Sequence, residues 1–195
     1  MLTARGEEAD RIVGLEMGAQ EMSQLVNELI SLSKAGLKPA DISRIPVDLL
    51  EVVRRVTGRQ ADKTAEFAID VPAGLKALAE PDLLARALGN VLRNAIRYAA
   101  VAGPITLTAR VENELVRISV ADCGPGVPPE SLSKLFDPFY RVDSSRTRPT
   151  SGAGLGLTII RSCMEACGGQ VTAHNRAGGG LEASLNLPKA KVEVA

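Results

Sequence analysis

The stretch ITLTARVENELVRISVAD, residues 105–122, constrains the fold more than any other. It reads as two strands joined by a hairpin turning near Glu112–Asn113–Glu114. Two strands alone are marginal in water and need further strands and a covering layer. The flanking segments offer both. EFAIDVP alternates and reads as a strand, KALAE as a second short strand, and GQVTAHN with LEASLNLP as another hairpin. PVDLLEVVRRVTGRQADK reads as an amphipathic helix. PDLLARALGNVLRNAIRYAA and GLGLTIIRSCMEAC read as two more helices, the former with Pro81 near its start, where a missing N–H costs nothing. Helices mixed with hairpin-paired strands predict an α+β domain, with helices layered on one face of a mixed, mostly antiparallel sheet.

The first residues follow a different period. Ile12, Leu15, Ala19, Met22, Val26 and Leu29 recur at alternating intervals of three and four. That heptad seam predicts a helix over residues 7–34 packed in a coiled coil or helix bundle. Gly36 and Pro39 close it. The expected organisation is a helical segment over 1–38, a linker over 39–46, a main domain over 47–189 and a tail over 190–195.

Composition narrows the function classes. Lys+Arg and Asp+Glu both number 23, which argues against a general nucleic-acid or anionic-membrane binder. Aromatics are 3% and Trp is absent, so stacking platforms for single strands are not expected. No apolar run is long enough to span a bilayer, and the first residues carry no basic-then-apolar leader pattern. The three cysteines read as reduced thiols. Cys163 and Cys167, four apart on a helix, lack the further ligands that a zinc site needs and are expected to be small buried hydrophobes.

Three clusters carry chemistry. Asn90 and Asn94 share one helix face, with Arg97 and Tyr98 one turn further on. Two amides on an otherwise apolar stretch either hold something polar, such as a hydrated magnesium ion beside phosphates, or cap and bridge neighbouring elements. In ADCGPGVP, Asp122 ends a strand and can accept from an exocyclic amine, while Gly124 and Gly126 let the backbone approach a flat ligand. In SGAGLGLTII, Gly152, Gly154 and Gly156 precede a helix whose first N–H groups are free to meet phosphate. That loop is not a P-loop and follows no strand of a βαβ unit.

Together, LGNVLRNAIRYA, DCGPGVP, LFDPFYR and GAGLGL resemble in order the N, G1, F and G2 boxes of the ATP-binding domain of sensor histidine kinases. This family belongs to the superfamily of gyrase, the Hsp90 chaperones and the mismatch-repair ATPases. The resemblance covers roughly residues 44–189. It extends to EMSQLVNELISLSK, which looks like the second helix of the dimerisation and histidine-phosphotransfer hairpin. The pattern is similar to that of the envelope-sensing transmembrane kinases. It implies a Bergerat-type two-layer sandwich that binds ATP and Mg2+. By resemblance Asn94 would bind magnesium with Asn90 beside it, and Arg97 would approach the phosphates. Asp122 would contact the adenine amino group, Tyr98 would line its pocket, and Gly124, Gly126 and Val127 would form the G1 turn. Gly152, Gly154, Leu155, Gly156 and Leu157 would form the phosphate loop, with the amides of residues 154–156 on phosphate oxygens. Phe136 and Phe139 would anchor a lid, or simply pack in the core. Arg141 and Arg146 would steady the γ-phosphate, or be solvated charges.

Hydrolases of the superfamily place Glu four residues before the metal-binding Asn. Here that position is Asn90, an amide that cannot act as a general base. The resemblance therefore implies phosphotransfer to a histidine on the first hairpin helix and relay to a response regulator. No His precedes residue 36. The expectation is a fragment of a dimeric inner-membrane sensor, from its cytoplasmic portion, unable to phosphorylate itself and making no membrane or nucleic-acid contact. The alternatives are an anti-sigma-factor-type serine kinase and a nucleotide-binding regulatory scaffold. The single histidine, His174, lies outside all four boxes in an alternating pattern and is expected on the sheet surface or at a strand end.

Overall fold

A computed structural model describes residues 42–60, 65–99, 102–138, 140, 142 and 156–190. The expected helix over 7–34 lies outside the described residues, as do Phe139, Arg141, Arg146, Gly152, Gly154 and Leu155.

Among the described residues, seven strands and four helices follow one another. They are β1 (Ile45–Asp48), α1 (Leu49–Gly58), β2 (Phe67–Asp70), β3 (Lys76–Ala79), α2 (Pro81–Ala99), β4 (Ile105–Glu112), β5 (Leu115–Ala121), α3 (Pro129–Leu132), α4 (Gly156–Ala166), β6 (Gln170–Asn175) and β7 (Leu181–Pro188). The main sheet has the order β2-β4-β5-β7-β6. Only the β2–β4 pair is parallel; the other three pairs are antiparallel. Both expected hairpins form. The first turns at Asn113, which takes a left-handed φ of 58°, a conformation Asn tolerates better than most residues.

The register explains the two layers. Leu107, Val120 and Ala183 form one row across the sheet, and Ala109, Ile118 and Leu185 the next; all six are buried. They meet Val52, Val53 and Val56 of α1, Leu84, Leu88 and Leu92 of α2, and Ile159, Ile160 and Met164 of α4 in one core cluster. Each buried Leu or Ile side chain contributes roughly 1.5–3 kcal/mol relative to an exposed one. The opposite rows are polar: Thr108, Ser119, Ser184 and Thr172, then Arg110, Arg117 and Asn186. Arg110 and Arg117 face each other across the strands, an unfavourable pair of like charges. Each is offset by its own acid, Arg110 by Asp70 and Arg117 by Glu112 at 2.8 Å.

One element departs from the sequence expectation. Residues 46–48, read as the start of a helix, instead belong to β1, which pairs antiparallel with β3 in a separate two-stranded sheet. The helix starts at Leu49 because the Asp48 side chain accepts the Glu51 N–H at 3.1 Å and caps it. At the start of α2 the Glu80 carboxylate accepts the Leu83 N–H at 2.6 Å, ahead of Pro81.

Candidate functional site

The described parts of the three sequence clusters meet on α2. Asn90 stands at its midpoint with Asn94 one turn on, and its last turn carries Arg97 and Tyr98. The start of α4 packs beside Asn90: a Cβ on Gly156 would stand 3.7 Å from Asn90 Oδ1. The G1 turn packs on the other end of α2. A Cβ on Gly124 would stand 2.9 Å from Ala99 Cβ and 3.3 Å from the Tyr98 carbonyl oxygen, so only glycine fits there. Leu157 follows Gly156 in the first turn of α4 and is half-buried against the core.

Asp122 stands one residue past β5 and is buried. Its Oδ1 accepts two backbone N–H groups, from Gly124 at 2.9 Å and Leu181 at 3.1 Å. Its Oδ2 makes no hydrogen bond among the described residues. The carboxylate is thus fixed by one oxygen and presents the other. The half-buried Asn94 amide likewise makes no hydrogen bond among the described residues. Asn90 differs. It is 4% exposed, its Nδ2 donates to the Arg86 carbonyl at 3.0 Å, and its Oδ1 accepts from Arg93 Nη2. Tyr98 is half-exposed, and the Arg97 guanidinium lies 5.6 Å from its ring centroid.

Phe136 is buried, yet it lies outside the main core cluster. The Arg161 guanidinium of α4 sits 5.7 Å from its ring centroid and pairs with Asp137 at 3.1 Å. Tyr140 and Ser131 share a hydroxyl hydrogen bond of 2.9 Å. The F segment is therefore tied to α4.

The sequence reading missed the residues that brace the G1 turn from the β6–β7 hairpin. Asn175 Nδ2 donates to the Val127 carbonyl at 2.6 Å, and its Oδ1 accepts the Val127 N–H at 2.9 Å. Arg176 Nη1 donates to the Asp122 carbonyl at 2.6 Å. Gly126, with φ +70°, sits against Asn175, and Gly180 lies so close to the Asp122 carbonyl that a Cβ would overlap it. The triple glycine after the strand was the available signal. His174 itself is exposed, its Nε2 3.7 Å from Glu182 Oε2, on the sheet surface as expected.

The cysteines on α4 are buried. Desolvation pushes the Cys163 thiol up from about 9.0 to about 12 and raises that of Cys167 as well. Among the described residues no three His, Cys, Asp or Glu side chains converge as metal ligands. Also among them, no helix is long and apolar enough to cross a membrane.

Residues 79–191 match the family described as histidine kinase-, DNA gyrase B- and HSP90-like ATPase. The chain is similar to the signal transduction histidine-protein kinase BaeS of Escherichia coli (strain K12), with 30% identity over 92% of this chain and 39% of that protein. It is similar to the sensor histidine kinase CpxA of the same organism, with 32% identity over 96% of this chain and 42% of that protein. The chain thus spans less than half the length of these relatives. Among solved structures it resembles full-length ShkA in complex with AMPPNP, with a TM-score of 0.76 and 30% identity over 95% of this chain and 40% of that one.

Proposed function

The chain belongs to the histidine kinase-, DNA gyrase B- and HSP90-like ATPase family, and on that premise we propose that it is the ATP-binding catalytic part of a sensor histidine kinase. The observation that carries this reading is Asp122, held through Oδ1 by two backbone donors, with Oδ2 left without a hydrogen bond among the described residues. An unpaired carboxylate oxygen next to a glycine turn suits the exocyclic amine of adenine. Tyr98 offers an exposed ring on the last turn of α2, and Gly124 lets the G1 turn close against that same turn. The glycines before α4, with Gly156 and Leu157 in its first turn, would take the phosphates through backbone N–H groups aided by the helix dipole.

Asn94, whose amide is unpaired, would hold magnesium. Its neutral oxygen suits a cation that arrives with the phosphates and keeps its other ligands from them and from water. Arg97 would approach the phosphates, and Arg141 and Arg146 would steady the γ-phosphate. Asn90 cannot accept a proton from water, so transfer to a histidine is favoured over hydrolysis. The acceptor would be the histidine helix of the parent dimer, and the next acceptor a response regulator. The parent would be an inner-membrane sensor, with this part in the cytoplasm. The similarity to ShkA, whose structure holds AMPPNP, and to sensor kinases over most of this chain supports the reading.

Two experiments test it. Calorimetry of this chain with Mg-ATP should show saturable binding, and none at millimolar nucleotide would leave only a regulatory scaffold. Incubation with γ-labelled ATP should leave this chain unlabelled and transfer label to an added hairpin bearing the parent histidine. Acid-stable label on serine of a partner would instead favour the serine kinase.

A further inference from the structure

Arg176 follows β6 and carries its charge to a main-chain oxygen rather than to a carboxylate. Its Nη1 donates to the Asp122 carbonyl at 2.6 Å and lies 3.8 Å from Cys123 Sγ. Its guanidinium has no ion pair among the described residues. The contact joins residues 54 apart in sequence, so no local motif encodes it. The Arg176 backbone is itself fixed: its N–H donates to the Gly180 carbonyl at 3.0 Å, and its carbonyl accepts the Gly179 N–H at 3.1 Å. Gly180 also presses so closely on the Asp122 carbonyl that a Cβ would overlap it. The Asp122 peptide is therefore held by a hydrogen bond from Arg176 and by contact with Gly180, while Oδ1 is held by the Gly124 and Leu181 N–H groups. With the peptide and one carboxylate oxygen fixed, the direction of Oδ2 is fixed as well.

We infer that Arg176 is a positioning residue that sets base specificity through Asp122. This deepens the nucleotide reading and rests on Asp122 being the residue that meets the base. Adenine carries an amine at C6, a donor that Oδ2 can accept. Guanine carries an oxo group there, a second acceptor. Two acceptors facing each other repel, and a site built around a donor rejects the analogue that lacks it. That rejection lasts only while the carboxylate stays in place. A carboxylate free to turn aside escapes the clash with guanine, and it must be ordered before it can accept from adenine. Arg176 opposes that motion, because a charge-assisted hydrogen bond to the carbonyl is stronger than a neutral one. Asn175, next to it, does something else: its amide is tied to the Val127 backbone and shapes the far end of the G1 turn.

The test compares Arg176→Met, Arg176→Lys and His174→Ala with the unmodified chain. Mg-ATP and Mg-GTP are titrated into each by calorimetry, and urea unfolding checks that each is folded. The unmodified chain should prefer ATP by at least about tenfold. Arg176→Met keeps the apolar stem and removes the donor. It should weaken Mg-ATP by about three- to tenfold and Mg-GTP by less than about twofold, so that the preference for ATP falls. Arg176→Lys keeps a charged donor without the planar fork and should recover part of that preference. His174→Ala, one step further along the hairpin, should match the unmodified chain. Equal losses for both nucleotides in Arg176→Met would mean that Arg176 only supports the fold, and would overturn the assignment. So would an unchanged preference. Should Arg176→Met fail to fold, Arg176→Lys decides: a lowered preference for ATP supports the role and an unchanged one overturns it. If the unmodified chain prefers ATP and the Arg176 variants keep that preference, only this inference fails; if it binds ATP and GTP alike, the adenine reading of Asp122 fails with it.

Discussion

Gly178, Gly179 and Gly180 close the β6–β7 turn, and alanine at each position should give a different result. At Gly178 nothing lies within 4 Å of an added Cβ and the backbone is not left-handed. Alanine there should be neutral or stabilise by about 0.4–1 kcal/mol through the unfolded chain. Gly179 has φ +90°, with the Gly124 carbonyl oxygen 3.8 Å from a new Cβ, an ordinary contact. The cost is backbone strain alone, about 1–2 kcal/mol. Gly180 has φ +94°, and its Cβ would overlap the Asp122 carbonyl and stand 3.2 Å from Asp122 Oδ1. The turn must then move away from Asp122. That breaks the two bonds between Asp122 and the Leu181 backbone, at 3.0 and 3.1 Å. Strain of about 1–2 kcal/mol plus two hydrogen bonds at about 1 kcal/mol each gives a total of about 3–4 kcal/mol. At roughly 3 °C per kcal/mol, the melting midpoint should fall by about 10 °C. Circular dichroism on heating reads the stability series, and Mg-ATP calorimetry reads the site. Gly180→Ala should also weaken nucleotide binding, whereas Gly178→Ala should not. Equal midpoints for the Gly178 and Gly180 variants would refute the claim that this turn is pressed against Asp122.

Three further outcomes are expected. Asp122→Asn should leave folding nearly intact, since its amide oxygen can still accept from Gly124 and Leu181, but it then presents NH2 to the adenine amine; ATP binding should weaken by about 1–3 kcal/mol in calorimetry. Asn175→Ala should destabilise the G1 turn by about 1–2 kcal/mol in urea unfolding through two lost bonds to Val127, while the adjacent His174→Ala should be silent. Iodoacetamide at pH 8 should modify Cys123 and spare Cys163 and Cys167, as read by mass spectrometry of digested native protein. Burial raises the folded Cys163 thiol from about 9.0 to about 12, so its stabilising contribution is complete below pH 9 and is lost as pH rises towards 12.

The hairpins, the α2 and α4 helices and the apolar rows were legible because period-2 and period-3.6 patterns report burial directly. The order of Asn90, Asn94, Asp122 and Gly156 was legible because each sits in a local motif. Two things were not. Residues 46–48 form a strand because they find a partner in β3, about thirty residues away, and no local pattern carries that pairing. Asn175, Arg176 and Gly180 act on Asp122 and Val127 across about fifty residues of chain. Their role comes from the β5–β7 register, which brings Ala121 opposite Glu182 and so sets the β6–β7 turn over the end of β5. The stretch VTAHNRAG thus holds a histidine with no part in the site beside two residues that brace it.

The distribution of unpaired polar groups carries the last step. Where polar side chains are buried in the sheet for structure alone, they satisfy each other, as Ser119 and Ser184 do at 3.1 Å. Around α2 the pattern is different. Asp122 Oδ2 and the Asn94 amide have no hydrogen bond among the described residues. The fully enclosed atoms left unsatisfied there are Gln60 Oε1, just past α1, and Thr158 Oγ1, in the first turn of α4, so orphan atoms alone do not mark a site. Convergence does. The start of α4 meets α2 at Asn90 and the G1 turn packs on the end of the same helix, so the open oxygens of Asp122 and Asn94 are the ones a nucleotide with its metal would complete.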